Sequence, residues 1–386
     1  APYTNGGIEK AAANLIAFEK TDSIEPGESQ TKSFTINKED MASYDSEGIK
    51  ISGGGYILEA GEYTISLRSD SHTVLSEEKF TVDEDIDYSK DGRSSDKTVA
   101  TNQFEDYARS DFEQLSREDG FANYDKACGV PEEDAYVMSD ETRAAVEENV
   151  FGIYDGTKYN NDSDEMPAMG ADNGLQLADL TGKDYDDADW DKLLDQLSFE
   201  DMATLINVGG WQTAEIKSVG KIATSDCDGP AGLNNFITKA YGTAYPSEVL
   251  MAQTWNKELA NEIGVSMGQE YVDADNYGWY GPAMNIHRTA FAGRNFEYYS
   301  EDSFLSGAIA AAEVKGIQSK GVYVYIKHFV LNDSETACRC ISTWANEQSI
   351  REVYLKPFEM AIVDGGAMNV MNSFARLGVV WSGGHE

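Results

Sequence analysis

Up to about residue 82 the chain alternates apolar and polar positions in short runs: TKSFTIN at 31–37, YILEAGEYTISLRS at 56–69 and EKFTV at 78–82. Alternation with a period of two suits half-buried strands. With turn signals at Glu25-Pro26-Gly27 and Ala60-Gly61-Glu62 between the runs, it predicts an antiparallel β-sandwich over 1–82. From 83 to 185 the chain is acidic, broken by Gly, Asn and Ser, and weakly periodic. This predicts an irregular linker, with a short helix in DETRAAVEENVF. From 186 to 386 the pattern becomes strand, loop, helix, repeated. Helical periodicity in WDKLLDQLSFEDMATLINVG is followed by the strand of IATSDCDGPAGL, then a long helix around SEVLMAQTWNKELANEIGVSMGQEY and the strand WYGPAMNI. A helix beginning near Ser300, the strand YVYIKHFVLND, a helix through EQSIREVYLKPFEMAIV and the strand AMNVMNSF complete the series.

Strands alternating with helices predict a parallel sheet, either open or part of a (β/α)8 barrel. A full barrel takes ~250 residues, so 186–386 has room for only part of one. Functional groups in such folds gather at the C-terminal ends of strands. Four chemically capable side chains are predicted there: Asp228 in the turn of SDCDGPAG, Arg294 in GRNFEYYSED, and the neighbouring Lys327 and His328. Together they offer an anionic acceptor, two cationic donors and an imidazole, an inventory suited to a ligand rich in hydroxyls, such as a sugar ring.

Each residue also has a plain structural reading. Lys327 could pair with Glu297 or Asp302, His328 could be a satisfied core histidine, Asp228 could shape its turn before Gly229-Pro230, and Arg294 could brace its acidic loop. Trp255 and the aromatics of YGWYGP are expected in the core. The run from Asp184 to Asp191 is expected to be a solvated helix approach, since it lacks the Gly and terminal Glu of an EF-hand.

The chain carries 68 acidic against 30 basic residues, a formal charge of −38, which opposes nucleic acid and anionic membranes and favours a neutral partner. No apolar run is long enough to span a bilayer, and APYTNGGIEK lacks the features of a signal peptide. A soluble chain is expected, with the compartment open between cytoplasm and secretion. Cys128, Cys227, Cys338 and Cys340 have no CxxC or disulfide-rich spacing and are read as reduced thiols, with a redox or metal role for Cys338 and Cys340 as the alternative. Neither a cofactor nor a metal site is expected.

DGPAGL at 228–233, the GRNFEYYSED loop, KGIQSKGV at 315–322, IKHF at 326–329 and REVYLKPFE at 351–359 resemble the barrel domain of glycoside hydrolase family 3 β-glucosidases. Upstream, EPGESQTKSFTINKEDMASYDSEG and YILEAGEYTISLRSDSH are similar to the fibronectin type III-like domain of the same enzymes. That domain precedes the barrel here, as in the permuted subgroup of the family. The resemblance implies a retaining, exo-acting β-glucosidase, with the choice between glucoside and xyloside left open, and with Asp228, Arg294, Lys327 and His328 gripping hydroxyls of the glucose being cleaved. It further implies that the nucleophilic Asp lies beyond Glu386 and the acid/base in an α/β sandwich domain. These 386 residues would then supply the sugar-binding subsite and hydrolyse nothing alone, their partners being the remaining polypeptide or a second copy. Ala375, where the family tends to carry Asn, and SETACRC depart from the family pattern. Two other readings stay open: a non-catalytic carbohydrate-binding protein, in which Glu297, Glu301, Asp302, Asp333 and Glu335 are the carboxylates to inspect, and a Schiff-base lyase using Lys327.

Overall fold

A computed structural model of the protein describes residues 1–104, 113–129, 137–148, 156–339 and 341–385. In the N-terminal unit, β1 (Ser43–Asp45) pairs antiparallel with β2 (Gly55–Leu58). A long hairpin, β3 (Gly61–Arg68) with β4 (Val74–Val82), follows, and β5 (Ile86–Asp87) returns to pair with β2. Asp70 closes the hairpin turn by accepting from the amides of His72 and Thr73, each at 2.8 Å. Gly61 begins β3 at φ 144°, and a Cβ there would lie 2.9 Å from the Pro2 side chain. The strand expected at 31–37 does not form: the segment is extended but unpaired, and Phe34 is 45% exposed. Alternation creates an amphipathic edge, but a strand also needs a ladder partner and a surface on which to bury its apolar side.

Beyond β5, which lies inside the stretch expected to be linker because Ile86 and Asp87 find a ladder partner in β2, the described residues up to 185 contain short turns and two brief helices, Tyr124–Cys128 and Asp140–Val146. The second is capped by Ser139 and falls in the expected DETRAAVEENVF stretch, whose last residues lie outside the described ones.

The two longest expected helices are each divided. α1 (Asp189–Leu194) and α2 (Phe199–Asn207) are separated at Ser198, where Ser198 Oγ accepts from the Asp201 amide and Asp201 accepts from the Ser198 amide, a capping box that starts a new helix. α3 (Glu248–Gln253) and α4 (Lys257–Asp273) are separated at Trp255, whose φ is 52°, and Asn256 caps the second by accepting from the Leu259 amide at 3.0 Å. Helical periodicity runs through both breaks because the apolar stripe continues even where the backbone restarts.

The sheet that positions the site contains β6 (Thr224–Asp228), β7 (Gly278–Tyr280), β8 (Tyr323–Phe329) and β9 (Asn369–Asn372), all parallel, in the order β6-β7-β8-β9. α5 (Ser303–Gln318) lies between β7 and β8, and α6 (Lys356–Val363) between β8 and β9. Strand order follows chain order without the reversal that marks a doubly wound sheet. Residues 212–213 add a short antiparallel partner to β6 on its outer side.

Val324 and Ile326 of β8 enter the main core with Trp279, Ile309, Val314, Ile317 and Phe358. By alternation, Tyr323, Tyr325 and Lys327 face the opposite side. There Tyr325 Oη donates to Asp226 Oδ2 at 3.0 Å. α4 and α5 touch backbone to backbone: a Cβ on Gly264 would stand 2.4 Å from the Glu313 carbonyl oxygen. Such an approach holds the helix layer close behind the strands.

The N-terminal unit and the start of the linker are both fastened to the helical stretch 347–363. Glu347 accepts from the amides of Gln103 and Phe104 at 2.9 and 2.8 Å, and Glu352 from the amide of Tyr44 at 2.6 Å. Arg93 donates to Glu359 at 2.7 Å while lying 3.9 Å over the Tyr56 ring.

Candidate functional site

Asp228 ends β6, and Lys327 and His328 lie near the end of β8. Arg294 comes from the loop after β7, which begins with Gly281-Pro282. That loop is tied to β8 by backbone bonds from Lys327 N to the Pro282 carbonyl at 3.0 Å and from Met284 N to the Lys327 carbonyl at 2.9 Å. Asn285 fixes the neighbouring peptide: its Oδ1 accepts from His328 N at 2.8 Å and its Nδ2 donates to the His328 carbonyl at 2.9 Å. The Lys327–His328 peptide is cis.

The four side chains expected at the mouth meet in one network. Lys327 Nζ donates to Asp228 Oδ1 at 2.8 Å and stands 4.0 Å from Glu297 Oε2. Arg294 Nε donates to Glu297 Oε1, and Arg294 Nη2 donates to His328 Nε2 at 2.9 Å. His328 Nδ1 lies 3.2 Å from Tyr298 Oη, which also accepts from Asn332 Nδ2 at 2.9 Å. Glu335 closes the rim, 3.9 Å from Arg294 Nε. The side chain of Lys327 is 2% exposed and that of Asp228 49%, so a ligand meets the carboxylate first and the ammonium behind it.

Burial and the adjacent Arg294 and Lys327 charges hold the His328 imidazole well below its ordinary pKa, keeping it neutral. Because Nε2 accepts from Arg294, the ring proton resides on Nδ1 and points to Tyr298. Asp333 Oδ1 accepts from the Ile286 amide at 3.0 Å, and burial pushes its carboxyl up to about 7.

Several structural readings also find a counterpart. Arg294 does brace its own loop through Glu297, and both His328 ring nitrogens have partners. The nearest partner of Lys327 is Asp228, with Glu297 second. Asp302 instead caps α5 by accepting from the Leu305 amide at 2.7 Å. Lys327 is thus held in an ion pair rather than presented as a free amine. Of the aromatics expected in the core, Trp279 is buried and donates to the Gly229 carbonyl at 3.0 Å, but Trp255 is 41% exposed with only an edge contact to Phe18, because it stands at the break between α3 and α4 and not on a buried helix face. The aspartates of 184–191 include Asp187 and Asp189, both paired with Lys183.

Sequence reasoning missed Asn285 and Tyr298. The available signal was a polar residue inside the apolar run WYGPAMNI and an aromatic one position after Glu297. Cys128, Cys227 and Cys338 are free thiols, and Cys340 lies outside the described residues. Among the described residues, no group of three or more His, Cys, Asp or Glu side chains is arranged to hold a metal ion, and no helix is long and apolar enough to cross a membrane.

The family model for the glycosyl hydrolase family 3 N terminal domain matches residues 199–379, and that for a fibronectin type III-like domain matches residues 2–71. The chain is 30% identical to a beta-glucosidase of Ruminococcus albus across 98% of its own length and 38% of that protein. It is 33% identical to beta-glucosidase A of Butyrivibrio fibrisolvens across 92% of its own length and 42% of that protein. The crystal structure of a beta-glucosidase from Paenibacillus barengoltzii superposes on 97% of the chain with a TM-score of 0.71 and 25% identity, over 39% of that structure. The chain therefore spans about two fifths of the length of these relatives.

Proposed function

Because this chain belongs to glycosyl hydrolase family 3, we propose that it takes part in the exo-acting, retaining hydrolysis of terminal β-D-glucosyl residues, holding the glucose whose bond is cleaved. The observation that carries this reading is the convergence of Asp228, Arg294, Lys327 and His328, from three separate strand ends, in one hydrogen-bonded mouth. The side chains are preorganised: Glu297 orients Arg294 and stands near Lys327, and Tyr298 and Asn285 fix the imidazole and its backbone. Lys327 has three ammonium protons, and Asp228 takes one of them, leaving donors for sugar hydroxyls. Asp228 in turn accepts from hydroxyls on its solvent side. A ring fixed in this way is oriented for cleavage and is gripped more tightly as it flattens toward an oxocarbenium ion.

Bond cleavage with retention needs a nucleophile and an acid/base about 5 Å apart. Within the described mouth, Asp228 and Glu297 are engaged by cations and Asp333 by a backbone amide. We assign the two catalytic carboxylates to polypeptide other than these 386 residues, and the parallel sheet of 186–386 to part of a (β/α)8 barrel. In this reading, residues 1–82 form a fibronectin-like sandwich and 83–185 the linker. The remaining polypeptide, or a second copy, covers the open side of the sheet.

The test is to assay residues 1–386 on p-nitrophenyl β-glucoside, alone and with the rest of the protein, and to titrate glucose calorimetrically. Glucose binding without turnover, and turnover on addition of the rest, is expected. Turnover by residues 1–386 alone, abolished by Glu297→Gln, would place the catalytic carboxylate in this chain and refute the assignment.

A further inference from the structure

Behind the clamp of Asp228, Arg294, Lys327 and His328 lie two buried glutamates to which the sugar-holding reading gives no task. Glu248 opens α3 and is 1% exposed, and Glu313, on α5, is fully enclosed. α3 packs against α5 and against the turn 295–297, which places both glutamates where the helix layer meets the loop carrying Arg294 and Glu297. Tyr299 Oη donates to Glu313 Oε2, and the neighbouring Tyr298 is the partner of His328. Neither Glu248 oxygen, nor Glu313 Oε1, finds a hydrogen-bond donor on another described residue. A buried carboxylate needs a cation or a proton. The cations at hand are already matched: Lys327 serves Asp228 and Glu297, and Arg294 serves Glu297. Neutralisation therefore falls to protons. Burial, then repulsion from Glu313, holds the Glu248 carboxyl well above its ordinary pKa, with Glu297 adding to the rise and Lys327 opposing it. Burial pushes Glu313 up to about 8 against the opposing bond from Tyr299. Where α4 and α6 touch α5, Gly264 and Met360 bring no charge.

We propose that Glu248 and Glu313 are positioning residues of the clamp: as neutral acids they seat the segment 294–299 against α3 and α5, and loss of a proton from the pair slackens Arg294, Glu297 and Tyr298 together. The inference rests on the glucose-holding reading above. When the O–H bond breaks, the proton leaves to solvent and the electron pair stays on the carboxylate. The new charge has no cation of its own. It repels Glu297, competes with Asp228 for Lys327, and draws water between α3 and the turn to replace the missing partner. The sugar then meets a clamp whose donors are no longer held in place.

The experiment titrates glucose calorimetrically into the full-length polypeptide between about pH 6 and about pH 9, an interval that brackets the Glu313 value. In the wild type the Kd should rise about five- to tenfold, because one proton lost near pH 8 allows at most about tenfold by pH 9. In the double variant Glu248→Gln, Glu313→Gln, whose amides copy the neutral acids, that rise should be abolished. Tyr299→Phe removes the hydroxyl that favours the Glu313 anion, so its rise should move to higher pH. A wild-type Kd that stays constant over the interval, or an undiminished rise in the folded double variant, would overturn the proposal. If the double variant does not fold, Tyr299→Phe decides, and a midpoint that stays in place refutes the role of the pair. A wild type that binds no glucose at any pH would instead overturn the glucose-holding reading itself, and the proposal with it.

Discussion

Replacing Lys327 with Ala tests the clamp most directly. In the free protein its Nζ donates to Asp228 at 2.8 Å and stands 4.0 Å from Glu297, with almost no solvent contact. The folded state should survive the change. Asp228 is half exposed and can be hydrated, while Glu297 keeps Arg294. The loss falls on the ligand: one charge-assisted hydrogen bond to a hydroxyl is worth about 1.5–3 kcal/mol. At 1.36 kcal/mol per decade, that predicts a fall of about 10- to 150-fold in kcat/KM. On the proposed clamp reading the contact strengthens as the ring flattens, so kcat should fall along with affinity. Lys327→Arg should not restore activity, since a planar fork cannot occupy the place of a compact ammonium between two carboxylates. The assay is steady-state hydrolysis of p-nitrophenyl β-glucoside by the full-length polypeptide, with circular dichroism to verify folding. A folded Lys327→Ala variant within threefold of wild type would refute the reasoning, and recovery in Lys327→Arg would refute its geometric part.

Asp333 holds its proton up to about pH 7 in the folded protein, whereas an unfolded Asp releases it near 4. Between those values the unfolded state binds fewer protons, so this group lowers stability as pH rises from about 4 to 7. In Asp333→Asn, that decline should flatten in melting curves recorded across the interval, with the Ile286 amide still accepted by the new side chain. Arg93→Ala removes the contacts to Glu359 and Asp96 and uncovers the Tyr56 ring, and should cost about 1–3 kcal/mol in chemical denaturation. Gly264→Ala should also destabilise, by about 1–3 kcal/mol, because the new methyl would press on the Glu313 carbonyl and wedge α4 from α5. Thermal unfolding would read this.

β6, β7 and β8 were legible because each is followed by a helix pattern, β8 also because it is a compact apolar run, and β9 because it follows the helix of EQSIREVYLKPFEMAIV. The convergence of Asp228, Lys327 and His328 was legible because polar residues at strand ends are physically expensive unless they are paired or used. Partner choice was less legible. Asp228, rather than Glu297 or Asp302, is the nearest anion to Lys327, which only the β6-β7-β8 order brings about. Asn285 was invisible because its task is to hold a backbone, and backbone needs leave no periodic trace. Helix breaks at Ser198 and Trp255 escaped because side-chain periodicity reports a buried face, whereas capping reports a local competition for amides. The absent strand at 31–37 shows the converse, an alternating pattern without a neighbouring edge to receive it.

The stretch 347–363 is held on two sides. Ile350, Phe358 and Ala361 belong to the core behind β8, with Phe358 meeting Phe329 at 5.2 Å. Glu352 receives the N-terminal unit through Tyr44, and Glu347 and Glu359 receive the start of the linker through Gln103, Phe104 and Arg93. A helix at the rim of an α/β domain ordinarily keeps a free outer face on which charges can be exchanged at little cost. This one has surrendered that freedom. Saturation mutagenesis should show it intolerant on both of these faces and tolerant at the exposed Ile362 and Val363, and a substitute for the preceding segments would have to reproduce the donors that face those three glutamates.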